Sequence, residues 1–380
     1  MNWLIKKLGD VLDYEQPGKY IVASKNYSGD YKTPVLTAGK TFILGNTNEK
    51  ENIFPADKLP VIIFDDFTTA TQFVDFPFKV KSSAMKILHP KKDKADAKYL
   101  FYLMQTIKVD HATHKRFWIS EYSEIEIPVP PVEDQRKIVV RLEKMLAKIK
   151  EAKKLRAEAQ ETTKNLLSAE LHRIFEEGKV KGWDEKSILE VTELVTKGTT
   201  PKTLGYAFTD SGVPFLKAEN VNGGKIDAIS TKTFISKRVH DILSRSKTKP
   251  GDVLMTIAGT IGRIGWVTSS APEMNMNQAV AIIRPMPDII FTQYLAYILS
   301  AGVTQGQVSS GTVKGAIPNF SLSMIKKLMI PLPPIGEQKM IVARLDALAE
   351  KIKKLQEYQN QTQADLIGLE KSILNQVFKN

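Results

Sequence analysis

Residues 127–142 read IPVPPVEDQRKIVVRL, and residues 330–345 read IPLPPIGEQKMIVARL. The two stretches align without a gap well beyond their ends. Pro128, Pro130, Pro131, Gln135, Arg141, Ile149 and Phe175 return at one constant spacing as Pro331, Pro333, Pro334, Gln338, Arg344, Ile352 and Phe378. A period this long lies far outside the range of solenoid repeats, so the chain reads as two similar halves, the first ending near Gly178.

Each copy opens a long helix. From Val132 to Glu177 there is neither Gly nor Pro, and apolar or small residues recur at alternating spacings of three and four: Ile138, Leu142, Met145, Ile149, Ala152, Ala159 and Leu166. The second copy repeats the seam with Ile341, Leu345, Leu348, Ile352, Leu355, Thr362, Leu366, Leu369 and Ile373. This is the pattern of a coiled coil, and it predicts two helices of roughly 45 residues, about 65–70 Å each. The prolines fix an extended approach, and Glu133, Asp134 and Glu337 supply an acidic first turn, which suits the positive end of a helix dipole. Midway, Arg156 and Gln359 interrupt the seams at equivalent positions. A polar layer of this kind fixes register, or the helices are simply exposed there.

Between the helices the pattern changes to short β-rich runs, such as LPVIIFDD and GDVLMTIAG, separated by Gly, Asn, Asp and Pro turns. Both domains then contain a short amphipathic helix, from Ala97 and from Phe291, and both pass through an equivalent aromatic, Phe117 and Phe320. The order is α+β domain, helix, α+β domain, helix. The expected boundaries are 1–128, 129–178, 179–331 and 332–380.

The chain has 380 residues, 42% of them hydrophobic, and no cysteine. That is enough for two ordinary cores, excludes disulfides and thiolate metal sites, and suits a reducing cytoplasm. Neither a secretory h-region nor an apolar run of membrane-spanning length is visible in the sequence. Lys and Arg outnumber Asp and Glu, 54 to 42, for a net charge of +12. The excess favours a polyanionic partner, nucleic acid or an anionic membrane.

With these features assembled, the chain resembles the specificity subunit of type I restriction-modification enzymes over essentially its whole length. The resemblance rests on PVPPVEDQ and PLPPIGEQ, each opening a long helix, and on TKGTTPKT, GVPFLKAENVNGGKI, KPGDVLMTIAGTIGRIGWV and NQAVAIIRP in the second domain. The first domain departs more, with YKTPVLTAGKTFILGNTNEK and VIIFDDFTTATQFVDFPF. The resemblance implies two target recognition domains held apart by two long, conserved helical regions. Each domain would read one half of a bipartite double-stranded DNA sequence, and the helices would dock two modification (methyltransferase) subunits and the ATP-dependent restriction subunits. Methyl donor and translocation chemistry would belong to those partners, leaving this chain without a catalytic site, a metal or a cofactor.

The residues agree with that inventory. GQVSSGTVK, from Gly306, starts like a phosphate-binding loop but has Thr312 and Val313 where Lys and Ser/Thr are needed. No amino-methyltransferase signature of the Asn/Asp-Pro-Pro-Tyr/Phe type occurs. GTIGRIG, from Gly259, has the wrong glycine spacing for a dinucleotide site and reads as a turn that approaches something closely. Of five histidines, only His111 and His114 are near neighbours, with Asp110 beside them; surface histidines are the simpler reading than zinc. Asp65 and Asp66 imitate a nuclease carboxylate pair but lack the Glu-x-Lys continuation, and read as turn-forming acids.

For base reading the useful side chains are Arg, Lys, Asn, Gln, Ser and Thr on loops. In the second domain they gather at Lys197, Thr199, Thr200 and Lys202, at Lys217 and Asn220, and at Arg263 between glycines. Arg263 is the leading candidate; its alternative is a turn arginine on phosphate or on nothing. First-domain candidates are Lys25, Asn26, Tyr27, Tyr31, Lys32 and Lys40, with Lys115 and Arg116 beside the core-type aromatics Phe117 and Trp118. Lys91, Lys92 and Lys94 read as phosphate attraction or a solvated face. The lysines of the first long helix read as coiled-coil surface and partner docking rather than a DNA-contacting stripe.

The expected architecture is therefore a pair of similar α+β domains on two long helices that pair antiparallel, with an internal pseudo-twofold. Nonidentical domains permit an asymmetric DNA site, while a repeated helix offers equivalent docking to two identical partners. The rivals are the specificity subunit of a system whose partner fuses nuclease and methyltransferase, a coiled-coil scaffold without DNA affinity, and a methyltransferase.

Overall fold

The repeated stretch folds the same way twice. In the computed structural model, which describes residues 3–39, 41–109, 116–226, 231–313 and 318–378, the strand Glu126–Val129 pairs antiparallel with Leu4–Lys7, and Met329–Leu332 pairs antiparallel with Asp184–Ser187. The register is identical: Pro128 faces Ile5 and Pro331 faces Glu185. Proline cannot donate to a ladder, so a two-stranded edge ribbon is where it is tolerated.

Two helices follow, Val132–Lys181 and Ile335–Phe378, of 50 and 44 residues. The first runs past Gly178 and stops at Gly182, whose φ of 69° is a left-handed position that suits glycine. Trp183 N–H bonds to the Gly178 carbonyl at 3.0 Å and Gly182 N–H to Lys179 at 3.2 Å, the two hydrogen bonds of a Schellman cap. Gly178 has a packing role: a Cβ there would lie 2.2 Å from the Trp183 ring.

The chain divides into two compact units, Met1–Glu158 with Gln359–Asn380, and Ala159–Tyr358. Each combines a globular domain, the first part of the helix that follows it, and the last part of the other long helix. In the first unit Leu374 and Phe378 enter a core with Val139, Leu142 and Tyr99, and Lys153 pairs with Glu370. In the second, Leu171, Ile174 and Phe175 pack with Val342 and Leu345, Glu170 bonds Arg344 at 2.7 Å, and Lys181 pairs with Glu337. Within each unit the helical segments are thus antiparallel.

The seams depart from the expected strict heptads. Ala159, Leu166, Leu355 and Leu369 are exposed, whereas Leu171 and Leu374, each one residue past the position that a strict heptad would bury, are buried. In both helices the buried stripe slips by one residue, because an α-helix makes 3.6 rather than 3.5 residues per turn and a fixed heptad drifts around it. Of the interrupting residues, Gln359 is buried and Arg156 partly so.

The globular domains share a topology. In the first, strands Leu12–Glu15, Met85–Pro90, Val61–Asp65 and Thr71–Val74 lie side by side in that order. In the second the order is Thr192–Lys197, Val280–Pro285, Val253–Thr256, Ile264–Val267, plus a fifth strand, Lys225–Ile226. A three-stranded sheet accompanies each: Thr33–Leu36 lies between Ile43–Thr47 and Lys79–Val80, and Val213–Leu216 between Phe234–Ile235 and Asn275–Met276. The last member is parallel in both cases. The continuous apolar runs are buried as their pattern requires: Val61, Ile62, Ile63 and Phe64, and Val253, Leu254 and Met255, are fully inaccessible. The short helices form at Ala97–Met104 and Thr292–Ser300, and Phe117, Trp118 and Phe320 are core.

Candidate nucleic-acid interface

Strand direction decides which loops meet. In the second domain Lys197 faces Ala281, Thr256 faces Val280 and Met255 faces Ile264. The exit of Thr192–Lys197, the approach to Val280, the Thr256–Ile264 turn and the approach to Lys225 therefore all lie at one end of the five-stranded sheet. This end collects Lys197, Thr199, Thr200, Asn222, Arg263 and Gln278. The corresponding end of the first domain, set by Asp65 facing Met85 and Phe64 facing Thr71, carries the residues after Glu15, Ser82–Ala84 and the Asp66–Ala70 turn.

The second-domain loops are held by backbone contacts. Gly198 N–H donates to the Val280 carbonyl at 3.1 Å, Thr199 N–H to Met276 at 3.0 Å and Asn277 N–H to Leu216 at 3.0 Å. Gly198 is required by proximity: a Cβ there would lie 2.0 Å from the Met276 oxygen. The Thr200 hydroxyl donates to Gln278 Oε1, and Arg245 donates to Thr199 Oγ1 at 3.3 Å. Asn220 Oδ1 accepts the Lys217 N–H at 2.8 Å, closing the turn after Leu216. The ammonium groups of Lys202 and Lys217 each sit 5.9 Å from the Phe208 ring, within cation–π range. Lys202 is exposed, and Lys197, Thr199, Thr200, Lys217 and Asn220 are half-buried.

Arg263 sits on the hairpin turn, exposed, with NH1 donating to Asn222 Oδ1 at 2.9 Å. Gly259 and Gly262 hold φ of 76° and 89°, and Gln305 Oε1 lies where a Cβ on Gly262 would come within 2.4 Å of it. The close approach expected of the GTIGRIG turn is thus to the protein's own Gln305. Lys40 and Lys115 lie outside the described residues.

The first-domain candidates occupy a single loop. Lys25, Asn26, Tyr27, Tyr31 and Lys32 precede strand Thr33–Leu36, whereas Lys217 and Asn220 follow the equivalent strand Val213–Leu216. Lys25–Lys32 therefore lie in the loop that corresponds to the one carrying Thr199, Thr200 and Lys202, and Lys217 and Asn220, at the other end of that strand, are not their counterparts. Lys25, Asn26 and Lys32 are exposed. Tyr27 packs on Gly45, where a Cβ would come within 2.7 Å of the Tyr27 Cβ. The segment is tied down by Glu49, whose Oε1 accepts the Ala23 and Ser24 N–H groups at 3.0 and 2.9 Å. Lys79, 3% exposed, bonds Glu49 at 2.8 Å; with the Ser24 amide it holds that carboxyl below its ordinary range.

The remaining candidates are structural. Asp65 caps its turn by accepting from Phe67 and Thr68 N–H, both at 2.9 Å. Asp66 is more than a turn former: it is buried, pairs with buried Lys86 at 3.3 Å and accepts the Trp118 N–H. Such a charge leaves water only with a partner and hydrogen bonds. The first six residues of the phosphate-loop look-alike, Gly306–Gly311, end the helix Gly302–Gly311. Among the described residues no group of His, Cys, Asp and Glu is arranged to hold a metal, and no helix is long and apolar enough to cross a membrane. His111 and His114, with Asp110, lie outside the described residues. Arg116 is exposed, and Lys91 bonds Asp13 at 3.2 Å.

Sequence reasoning missed Gln278, Asn222 and Arg245. Gln278 had a signal: Asn277 and Gln278 are adjacent amides immediately before the apolar run of a buried strand, where a loop enters a sheet end. Arg245 and Asn222 had none, since only the fold brings them beside Thr199 and Arg263.

Comparison with known proteins adds a family. Residues 1–161 and 180–362 match the model of the type I restriction modification DNA specificity domain. The chain is similar to the specificity subunit of the type I restriction enzyme EcoR124I/EcoR124II of Escherichia coli, 33% identical over 361 residues, covering 91% of this chain and 86% of that one. It is also similar to the MjaVIII specificity subunit of Methanocaldococcus jannaschii, at 23% identity with the same two coverages, 91% and 86%. Among solved structures, a chain from work on complex assembly and conformational transition of the type I R-M system matches at a TM-score of 0.72 and 21% identity, over 99% of this chain and 97% of that one. The HsdS subunit from Thermoanaerobacter tengcongensis matches at 0.57 and 21%, over 100% and 97%.

Proposed function

The chain belongs to the type I restriction-modification DNA specificity family, and from that premise we propose that it is the sequence-reading subunit of such a system, each globular domain recognising one half of a bipartite double-stranded DNA target. The observation that carries this reading is the shared sheet end. Two domains of one topology present the same set of loops, pinned by backbone hydrogen bonds, but with different side chains. A common scaffold with divergent loops is what two different half-sites require.

In this reading Lys197, Thr199, Thr200, Lys202, Lys217, Asn220 and Arg263 serve the second half-site, and Lys25, Asn26, Tyr27, Tyr31 and Lys32 the first. The net charge of +12 supplies attraction to phosphate, and the amides, hydroxyls and arginine supply discrimination. The chain binds and positions; methyl transfer and DNA cleavage belong to modification and restriction subunits that dock on the long helices. No cofactor is assigned to it.

The test is selection from random double-stranded DNA by the complex assembled with its modification subunits. Enrichment of two short specified blocks separated by an unspecified spacer is expected. Retention of DNA without sequence enrichment would overturn the reading.

A further inference from the structure

We propose that Gln278 is a specificity-determining residue of the second domain, reading a base edge with its amide while Thr200 orients it, and that Ser82 holds the equivalent place in the first domain. The inference rests on the DNA-reading role above and assigns it to residues outside the loop candidates legible in sequence.

Gln278 is exposed at the sheet end, on a loop whose backbone is committed on both sides. Asn277 N–H bonds Leu216, Val280 N–H bonds Asn277 at 3.2 Å, and Asn277 Oδ1 accepts the Ala279 N–H at 3.2 Å. The side chain is held as well, because the Thr200 hydroxyl donates to Gln278 Oε1. That bond uses one lone pair of the oxygen. The second lone pair and two amide N–H groups remain, and an acceptor beside a donor is the arrangement that matches the N6 amino group and N7 of adenine in the major groove. Orienting the amide beforehand lowers the entropy lost on binding. Lys197 and Thr199 lie on the adjoining segment, and Arg245, from the turn Ser244–Ser246, donates to Thr199 there, placing cations for phosphate beside an amide for a base. Arg263 differs in that one of its donors is already engaged by Asn222.

The duplicated topology gives the second half of the inference. Lys79–Val80 runs parallel to Val35 and Leu36 as Asn275–Met276 runs parallel to Phe215 and Leu216. Lys81 N–H donates to the Leu36 carbonyl at 3.1 Å just as Asn277 N–H donates to Leu216. One residue further on, Ser82 stands where Gln278 stands. A hydroxyl and a carboxamide discriminate bases differently, so this position diverges in the chemistry that would separate the two half-sites.

The experiment maps methylated sites genome-wide in cells carrying the complete system with the parent chain, with Gln278→Ala and with Thr200→Val, which keeps shape but removes the orienting hydroxyl. Gln278→Ala should broaden the accepted base at one position of one half-site and weaken binding of the parental site about ten- to a hundred-fold. Thr200→Val should broaden the same position to a smaller extent. An unaltered pattern in Gln278→Ala, or a uniform fall at all sites with no change of base preference, overturns the assignment while leaving the domain reading intact. A parent chain that yields no bipartite pattern overturns both.

Discussion

Gln135 and Gln338 make the same three hydrogen bonds in two different domains. Gln135 Oε1 accepts the Asp96 N–H at 2.7 Å, and its Nε2 donates to the Lys94 and Pro130 carbonyls at 3.2 and 2.7 Å. Gln338 Oε1 accepts the Phe291 N–H at 2.8 Å, and its Nε2 donates to Ile289 and Pro333 at 3.0 and 2.8 Å. Both side chains are fully buried. Tyr99 and Tyr294 complete the joint by donating to the Pro128 and Pro331 carbonyls, both at 2.9 Å. The repeated sequence therefore builds a joint between the proline corner, the long helix and the start of the short helix. Its glutamines face inward, so partner docking would fall to other residues of the repeat.

Replacing either glutamine by alanine strands a buried backbone N–H and two carbonyls, at about 1–3 kcal/mol for each unsatisfied group. Gln338→Ala should destabilise the Ala159–Tyr358 unit and Gln135→Ala the other. Urea unfolding followed by hydrogen exchange distinguishes the units; equal loss of protection in both would contradict the local role.

Much of this was legible in sequence because the residues concerned act locally. The prolines at 128–131 fix their own backbone, and the apolar runs at Val61 and Val253 predict buried strands without reference to anything distant. The long helices were legible too, but their late seams were misplaced by one residue, because heptad counting ignores the drift that a straight helix accumulates. The site was less legible. Thr199, Thr200 and Arg263 were found as loop residues of suitable chemistry, whereas Gln278 joins them only through the antiparallel neighbours Lys197 and Ala281. The first-domain set at Lys25–Lys32 stands out by composition, and no local signal shows that it shares its place in the fold with Thr199, Thr200 and Lys202 but not with Lys217 and Asn220.

Gly198→Ala places a methyl group against the Met276 carbonyl, a backbone atom with no rotamer to escape into. Overpacking of this kind costs about 1–3 kcal/mol, and here it also separates the loops carrying Thr200 and Gln278. Thermal melting should show the loss, and methylation mapping should show relaxed reading of one half-site only.

Acid should release the Ser24–Lys32 segment. Glu49 has a folded pKa depressed below its ordinary 4.5, chiefly by Lys79, so its contribution is complete above that value and is lost as pH falls through the lower, folded one. Limited proteolysis of this segment should accelerate on acidification below about pH 4.5. In Glu49→Gln the segment should be susceptible already at neutral pH, with a flatter dependence. A parent-like profile in that variant would contradict the tether.

Arg263→Ala should relax one position of the second half-site and leave the first unchanged, at about 1–3 kcal/mol of discrimination if the contact is bidentate to guanine. Titrations from 50 to about 200 mM salt should show affinity falling steeply for parent and variant alike, because phosphate contacts release counterions. Simultaneous change in both half-sites would make Arg263 structural.

If each globular domain reads its own half of the target, exchanging one domain should exchange one half. The most direct measurement replaces residues 184–332 with the corresponding segment of a relative of known specificity and maps methylated sites genome-wide beside the parent. One half of the methylated sequence should be exchanged for a half belonging to the donor, while the other half is retained. Change in both halves, or in neither, would contradict it.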